Sequence, residues 1–193
     1  MKQLRKLYHW TLSWAESSMG PWALFVLAIV EASFFIIPPD LLLIALCTGK
    51  PEKSFVFVGI CAVGSVLGGV IGYLIGWSLL DSVGMPILQF LQLEGAFEIV
   101  GDKYRESAGV AIFLAAFTPI PYKVFTIAAG AYSIPLATFI LASILGRTSR
   151  FLLVGIAIYF FGSGIKKLID RYFNLLTILV GILAVAGFLV LKH

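Results

Sequence analysis

Apolar residues along the chain fall into long runs separated by short polar stretches, and all five runs are longer than an ordinary strand. Residues 21–48, 54–80, 108–132, 135–162 and 174–191 are the apolar runs; 50–53, 81–107 and 163–173 hold most of the charge between them. The runs at 54–80 and 135–162 are long enough to cross a bilayer as tilted helices, and 174–191 is a charge-free 18-residue run that suits a final span. The other two runs are broken in their middles by proline. Ile36-Ile37-Pro38-Pro39-Asp40 interrupts the first, and Thr118-Pro119-Ile120-Pro121-Tyr122-Lys123 the second. Proline removes an amide donor and pushes the residue before it extended, so neither run continues as one helix.

The polar stretches fill in the rest. Residues 1–19 interleave Lys2, Arg5 and Lys6 with Leu4, Leu7, Tyr8, Trp10 and Trp14. As a helix they form an amphipathic element for the headgroup layer. A signal peptide fits poorly, because Glu16 precedes the apolar run and Glu31 lies inside it. Lys50-Pro51-Glu52-Lys53 reads as a turn, and Leu88, Leu91 and Phe97 among polar neighbours predict a short surface helix within 81–107. In 54–80, Gly64, Gly68, Gly72 and Gly76 recur every four residues, a stripe along which another backbone can approach closely. Trp22 and Trp77 read as anchors at the membrane interface.

Composition agrees with this pattern. Of 193 residues, 60% are hydrophobic and 12% charged, against roughly 25% charged in an average soluble domain. A soluble fold of this size cannot hide so much apolar surface. The net charge of +4 comes from basic residues flanking apolar runs, which suits a cytoplasmic membrane face and not nucleic acid. Cys47 and Cys61 lie inside apolar runs without metal-type spacing and read as small hydrophobes. No metal or cofactor is implied.

The two proline-broken runs resemble each other in plan. Each is followed after nine or ten residues by a glycine, Gly49 or Gly130, expected in a turn, and then by a full span. This predicts an all-α integral membrane fold of two inverted repeats, each a re-entrant hairpin plus a transmembrane helix. The amphipathic N-terminal helix and an extra C-terminal transmembrane helix complete it. The chain then divides into 1–19, repeat 1 at 20–80, a polar connection at 81–107, repeat 2 at 108–162, and a basic linker with the last span at 163–193. Basic residues gather on the N-terminal side whether the broken runs are re-entrant or spanning, so charge places the N-terminus in the cytoplasm without choosing between them. The position of each break, midway in its run, favours half-depth helices meeting at a midplane turn. Residue 54 should then face the cytoplasm.

Five charged residues fall inside apolar runs: Glu31, Asp40, Lys123, Arg147 and Arg150. An ionisable side chain at the centre of a span costs roughly 2.5–3.5 kcal/mol on insertion scales. Glu31 lies about 15 Å along a helix from Pro21, half of a ~30 Å hydrocarbon core. Arg147 and Arg150 are three apart and share a helix face. The functional reading is a polar midplane site in which Glu31 and Asp40 exchange protons and Lys123, Arg147 and Arg150 hold an anionic group. Desolvation raises a carboxyl pKa and neighbouring arginines lower it, so such acids are poised to titrate. The competing reading is that these charges form ion pairs fixing the two repeats together, with Asp40 as a helix N-cap.

Glu31…Pro38-Pro39-Asp40, together with Phe117-Thr118-Pro119-Ile120-Pro121-Tyr122-Lys123…Ala129-Gly130, resembles the DedA family, closest to its YqaA-type branch within the SNARE-associated/VTT-domain superfamily. The resemblance covers about residues 20–165. It implies a multi-pass bacterial inner-membrane protein with two facing re-entrant hairpins, linked to lipid translocation and to the proton motive force. The family's acidic positions fall on Glu31 and Asp40. Where its second motif carries an arginine before Phe-x-Pro this chain has Ala116, and the nearest cation after the prolines is Lys123. The expected partners are membrane lipids, an anionic lipid substrate such as a phospholipid or polyprenyl phosphate, and protons; a homo-oligomer stays open. An enzyme is not expected, since His9 and His193 lie near the chain ends and no histidine base sits in the apolar body. The alternatives are a structural or membrane-homeostasis protein and, further off, an intramembrane enzyme.

Overall fold

The computed structural model describes residues 19–33, 38–118 and 120–161. The expected N-terminal amphipathic helix, the basic linker, the C-terminal span and Pro119 lie outside them. Among the described residues the fold is all-helical. Helix α1 (Gly20–Ser33) leads to the first break, and α2 (Asp40–Gly49) follows it. A 3-10 turn (Pro51–Lys53) opens the long helix α3 (Ser54–Leu79), which widens into a π-helical turn (Leu80–Gly84) and continues as α4 (Met85–Phe90). Helix α5 (Glu94–Phe117) reaches the second break, and α6 (Tyr122–Ala131) and α7 (Leu136–Phe161) complete the order.

Among the described residues two helices are long and apolar enough to cross a membrane, α3 with its continuation and α7. At about 1.5 Å per residue each 26-residue helix spans about 39 Å. The 10-residue helices α2 and α6 span only about 15 Å. Helix α3 is apolar outside and small inside: Val56, Val63, Leu67, Ile71 and Leu74 are exposed, whereas Gly64, Ser65, Gly68, Gly72 and Gly76 are buried. This distribution suits a lipid-facing surface, and it places packing where side chains are smallest.

The glycine stripe sets the direction of its neighbours. A Cβ at Gly64 would stand 2.7 Å from the Phe25 carbonyl oxygen, and one at Gly68 would meet the Ile29 carbonyl. Ser33 Oγ donates to the Gly68 carbonyl at 3.0 Å. Residues 25 to 33 therefore climb beside residues 64 to 68, and α1 runs parallel to α3. Further along α3, Gly69 lies against Tyr122, Gly72 against Thr126, and Gly76 against the Ile127 carbonyl, so α6 also runs parallel to α3. Helix α7 runs the other way: Phe139 rings with Tyr73 at 5.3 Å, and Tyr159 with Phe55 at 5.3 Å. Gly146 of α7 packs on Phe113, Ala116 and Phe117, and Gly109 on Thr138, which makes α5 parallel to α7.

These directions bring the two breaks together. Helix α1 starts near the N-terminal end of α3, reaches its middle at residue 68, and α2 returns to where α3 begins. The second part of α5 starts near the opposite end, reaches the middle of α7, and α6 returns to where α7 begins. The two buried clusters follow the same division. One centres on Leu24, Leu43, Leu46, Phe57, Cys61 and Phe151. The other centres on Ile112, Tyr122, Ala129, Tyr132, Ile134 and Phe139.

Several details differ from expectation. The polar connection holds a short surface helix, α4, which contains Leu88 but stops before Leu91 and Phe97. Helix α5 passes straight through the expected boundary at residue 107, and only a kink at Ser107 (φ −124°, ψ 18°) marks it. Gly130 is not a turn residue; it lies in α6 with its α-carbon face against the Tyr73 carbonyl, and the left-handed position is Ser133 (φ 51°). Ser54 is fully buried, so it cannot report a membrane side; Glu52 and Lys53 are the exposed residues of that turn.

Candidate functional site

Arg147 and Arg150 straddle the midpoint of α7, at the level where both helix breaks arrive. Proline places the partners. Pro39 (φ −68°, ψ −16°) ends the first break, so Asp40 becomes the first residue of α2. Pro121 (φ −61°, ψ 95°) does the same for Tyr122 at the start of α6. Helix α5 ends with Thr118 extended (φ −88°, ψ 170°), which turns its carbonyl out of the helix.

Arg150 uses all three nitrogens. Nε and Nη2 donate to the two oxygens of Asp40 at 3.3 and 3.0 Å, and Nη1 donates to the Thr118 carbonyl at 2.8 Å. One guanidinium thus joins the first break to the second. The Asp40 carboxylate is engaged by an arginine 110 residues away, which answers the N-cap alternative. Arg147 is 2% exposed. Its Nη2 donates to Glu31 Oε2 at 3.4 Å, a longer contact than any Arg150 makes. Its guanidinium carbon stands 4.2 Å from the centroid of the Tyr122 ring and 5.8 Å from that of Phe151. The Tyr122 hydroxyl in turn donates to Ser143 Oγ at 2.6 Å.

Four of the five charges expected at the midplane therefore pair as acid with arginine, each acid from the first hairpin and each arginine from α7. Lys123 belongs to the same neighbourhood, because it follows Tyr122 at the start of α6, next to the ring that lies under Arg147. Ala116 is fully buried beneath Gly146, which leaves no room for a longer side chain there. The arginines of the site come from α7 instead. Pro38, Pro39 and Pro121 lie in or beside the breaks. Gly64, Gly68, Gly72 and Gly76 serve packing.

Two features of the site are absent from a reading by charge alone. Tyr122, between a proline and a lysine, has the pattern of an interface aromatic, yet it is 2% exposed and lies under Arg147. The Thr118 carbonyl has no sequence signal beyond the proline that follows it. Chemically the cluster offers carboxylates and guanidinium groups within exchange distance inside an apolar body. A proton on either acid weakens its hold on an arginine, and an anion competes for the same N–H groups.

The VTT domain family matches residues 37–160. An uncharacterized protein of Haemophilus influenzae is 32% identical over 194 residues, covering all of both chains. An uncharacterized protein of Histophilus somni is 33% identical over 192 residues, again covering all of both. No solved structure matches. With two helices able to cross a membrane and a match over most of its length, the chain belongs to the VTT-domain family of membrane proteins, the DedA/SNARE-associated family.

Proposed function

We propose that the protein is a membrane transporter that carries an anionic lipid across the bilayer, coupled to protons. Each of the two break-bearing units is a re-entrant hairpin followed by a full span, and the units are inverted with respect to one another. This accounts for the half-length of α2 and α6, at about 15 Å against a ~30 Å core. It also accounts for the opposite directions of α3 and α7. The membrane is the bacterial inner membrane, crossed several times, with the N-terminus in the cytoplasm.

The observation that carries the reading is the pairing of Glu31 with Arg147 and Asp40 with Arg150 where the two breaks meet. Charges at mid-membrane depth are costly, and they persist in pairs or along substrate paths. In the proposed cycle a proton neutralises Glu31 and releases Arg147. The freed guanidinium takes a phosphate oxygen of a lipid headgroup, and loss of the proton restores the pair. No covalent bond is made or broken, so the protein is not an enzyme. The structural alternative, in which the pairs only fasten the units, is favoured by the full complement of bonds on Arg150.

Purified protein in liposomes tests the choice. A fluorescent anionic phospholipid or polyprenyl phosphate should move between leaflets with wild type and not with Glu31→Gln or Arg147→Ala, both remaining folded. If wild type moves neither lipid, the transport reading fails.

A further inference from the structure

Two arginines three residues apart on α7 meet their carboxylates differently. Arg150 fills its Nε–Nη2 edge with both Asp40 oxygens. Arg147 turns toward Glu31, but only Nη2 makes contact, and Nε is buried without a partner among the described residues. A guanidinium edge presents two parallel N–H donors that match two oxygens. A buried N–H without an acceptor is costly. The edge therefore favours a second oxygen beside the one Glu31 supplies.

What holds Arg147 is its face. The Tyr122 ring lies 4.2 Å below the guanidinium, a contact that strengthens when both partners are desolvated. The ring itself is clamped. Its hydroxyl donates to Ser143, one turn before Arg147 on the same helix. A Cβ at Gly69 of α3 would stand 2.6 Å from that hydroxyl oxygen, so glycine there makes the space the ring occupies.

We propose that Tyr122 is a positioning residue. It holds the Arg147 guanidinium by its face so that the Nε–Nη2 edge can be shared between Glu31 and a phosphate oxygen of an anionic headgroup, while Arg150 stays committed to the fold. The ligand half rests on the transport reading; the clamp does not. A phosphate oxygen suits the open Nε donor, because an anionic acceptor makes a charge-assisted hydrogen bond there.

The test uses the full chain in nanodiscs of zwitterionic lipid, titrated with dodecyl phosphate and, as control, dodecanol. The readout is the shift of the thermal unfolding midpoint. Wild type should respond to the phosphate and not to the alcohol. Tyr122→Leu should need about tenfold more phosphate for the same response, the loss of one desolvated cation–π contact. Tyr122→Phe and Ser143→Ala break the same hydrogen bond. Each should weaken the response about threefold, and the double variant should be no weaker than either alone. These two variants keep the test decisive if Tyr122→Leu does not fold. The clamp is overturned if Tyr122→Leu titrates as wild type, or if the two milder variants weaken binding independently. If wild type ignores dodecyl phosphate and also moves no lipid, the ligand half and the transport reading fall together. If wild type binds and transports while the Tyr122 variants match it, this inference alone is wrong.

Discussion

Arg150 grips Asp40 with two nitrogens, Nε on Oδ1 at 3.3 Å and Nη2 on Oδ2 at 3.0 Å, across 110 residues of chain. With its third bond to the Thr118 carbonyl it ties both helix breaks to the middle of α7. Removing one member of such a pair leaves the other half-buried and uncompensated. Asp40→Asn or Arg150→Met should each cost about 3 kcal/mol of stability, and the double variant clearly less than their sum. Thermal unfolding of the detergent-solubilised protein reads both. Additive losses would mean that the pair does not act as a unit.

The glycine stripe makes a second expectation, with its own control. A methyl group at Gly76 meets the Ile127 carbonyl, which belongs to backbone and cannot swing aside. Gly76→Ala should destabilise by about 1–3 kcal/mol. A methyl group at Gly59, on the same helix, has nothing within 4 Å. Gly59→Ala should be neutral or slightly stabilising. Equal effects at the two positions would remove the argument that close backbone approach sets the α3–α6 contact.

Side-specific labelling checks the membrane arrangement. Cysteines placed at Met19 and Lys53, both exposed, should react with an impermeant maleimide from one side. Cysteines at Lys103 and Ser133, also exposed, should react from the other. The native Cys47 and Cys61 are fully buried and should stay silent in the folded protein. Labelling of residues 19 and 53 from opposite sides would replace the first re-entrant hairpin with two crossings.

Much of this was legible from residue type and spacing. Pro38-Pro39 and Pro121 mark real breaks, because proline acts on its own backbone wherever it sits. The glycine stripe was legible for a similar reason, since only small residues at a spacing of four build one packing face. Which acid meets which arginine was not, because pairing depends on how the hairpin enters the bundle. Glu31 and Asp40 lie nine residues apart on opposite sides of a break, and nothing local assigns them to Arg147 and Arg150. Tyr122 was hidden because its burial comes from Gly69 and Ser143 on two other helices. The start of α5 carries little signal because Glu94–Ser107 is polar on most faces, and the chain shows its helix only through continuity with the apolar half beyond Ser107.

The central claim is that the Glu31 carboxylate and an anionic lipid compete for Arg147, and that a proton on Glu31 hands the arginine to the lipid. The most direct measurement is the rate of labelled anionic lipid movement in liposomes at two pH values, for wild type and Glu31→Gln. The account predicts a wild-type rate that changes with pH, and a Glu31→Gln rate at least about tenfold lower, a loss of about 1.4 kcal/mol or more, and flat with pH. A rate indifferent to both pH and Glu31 would contradict it.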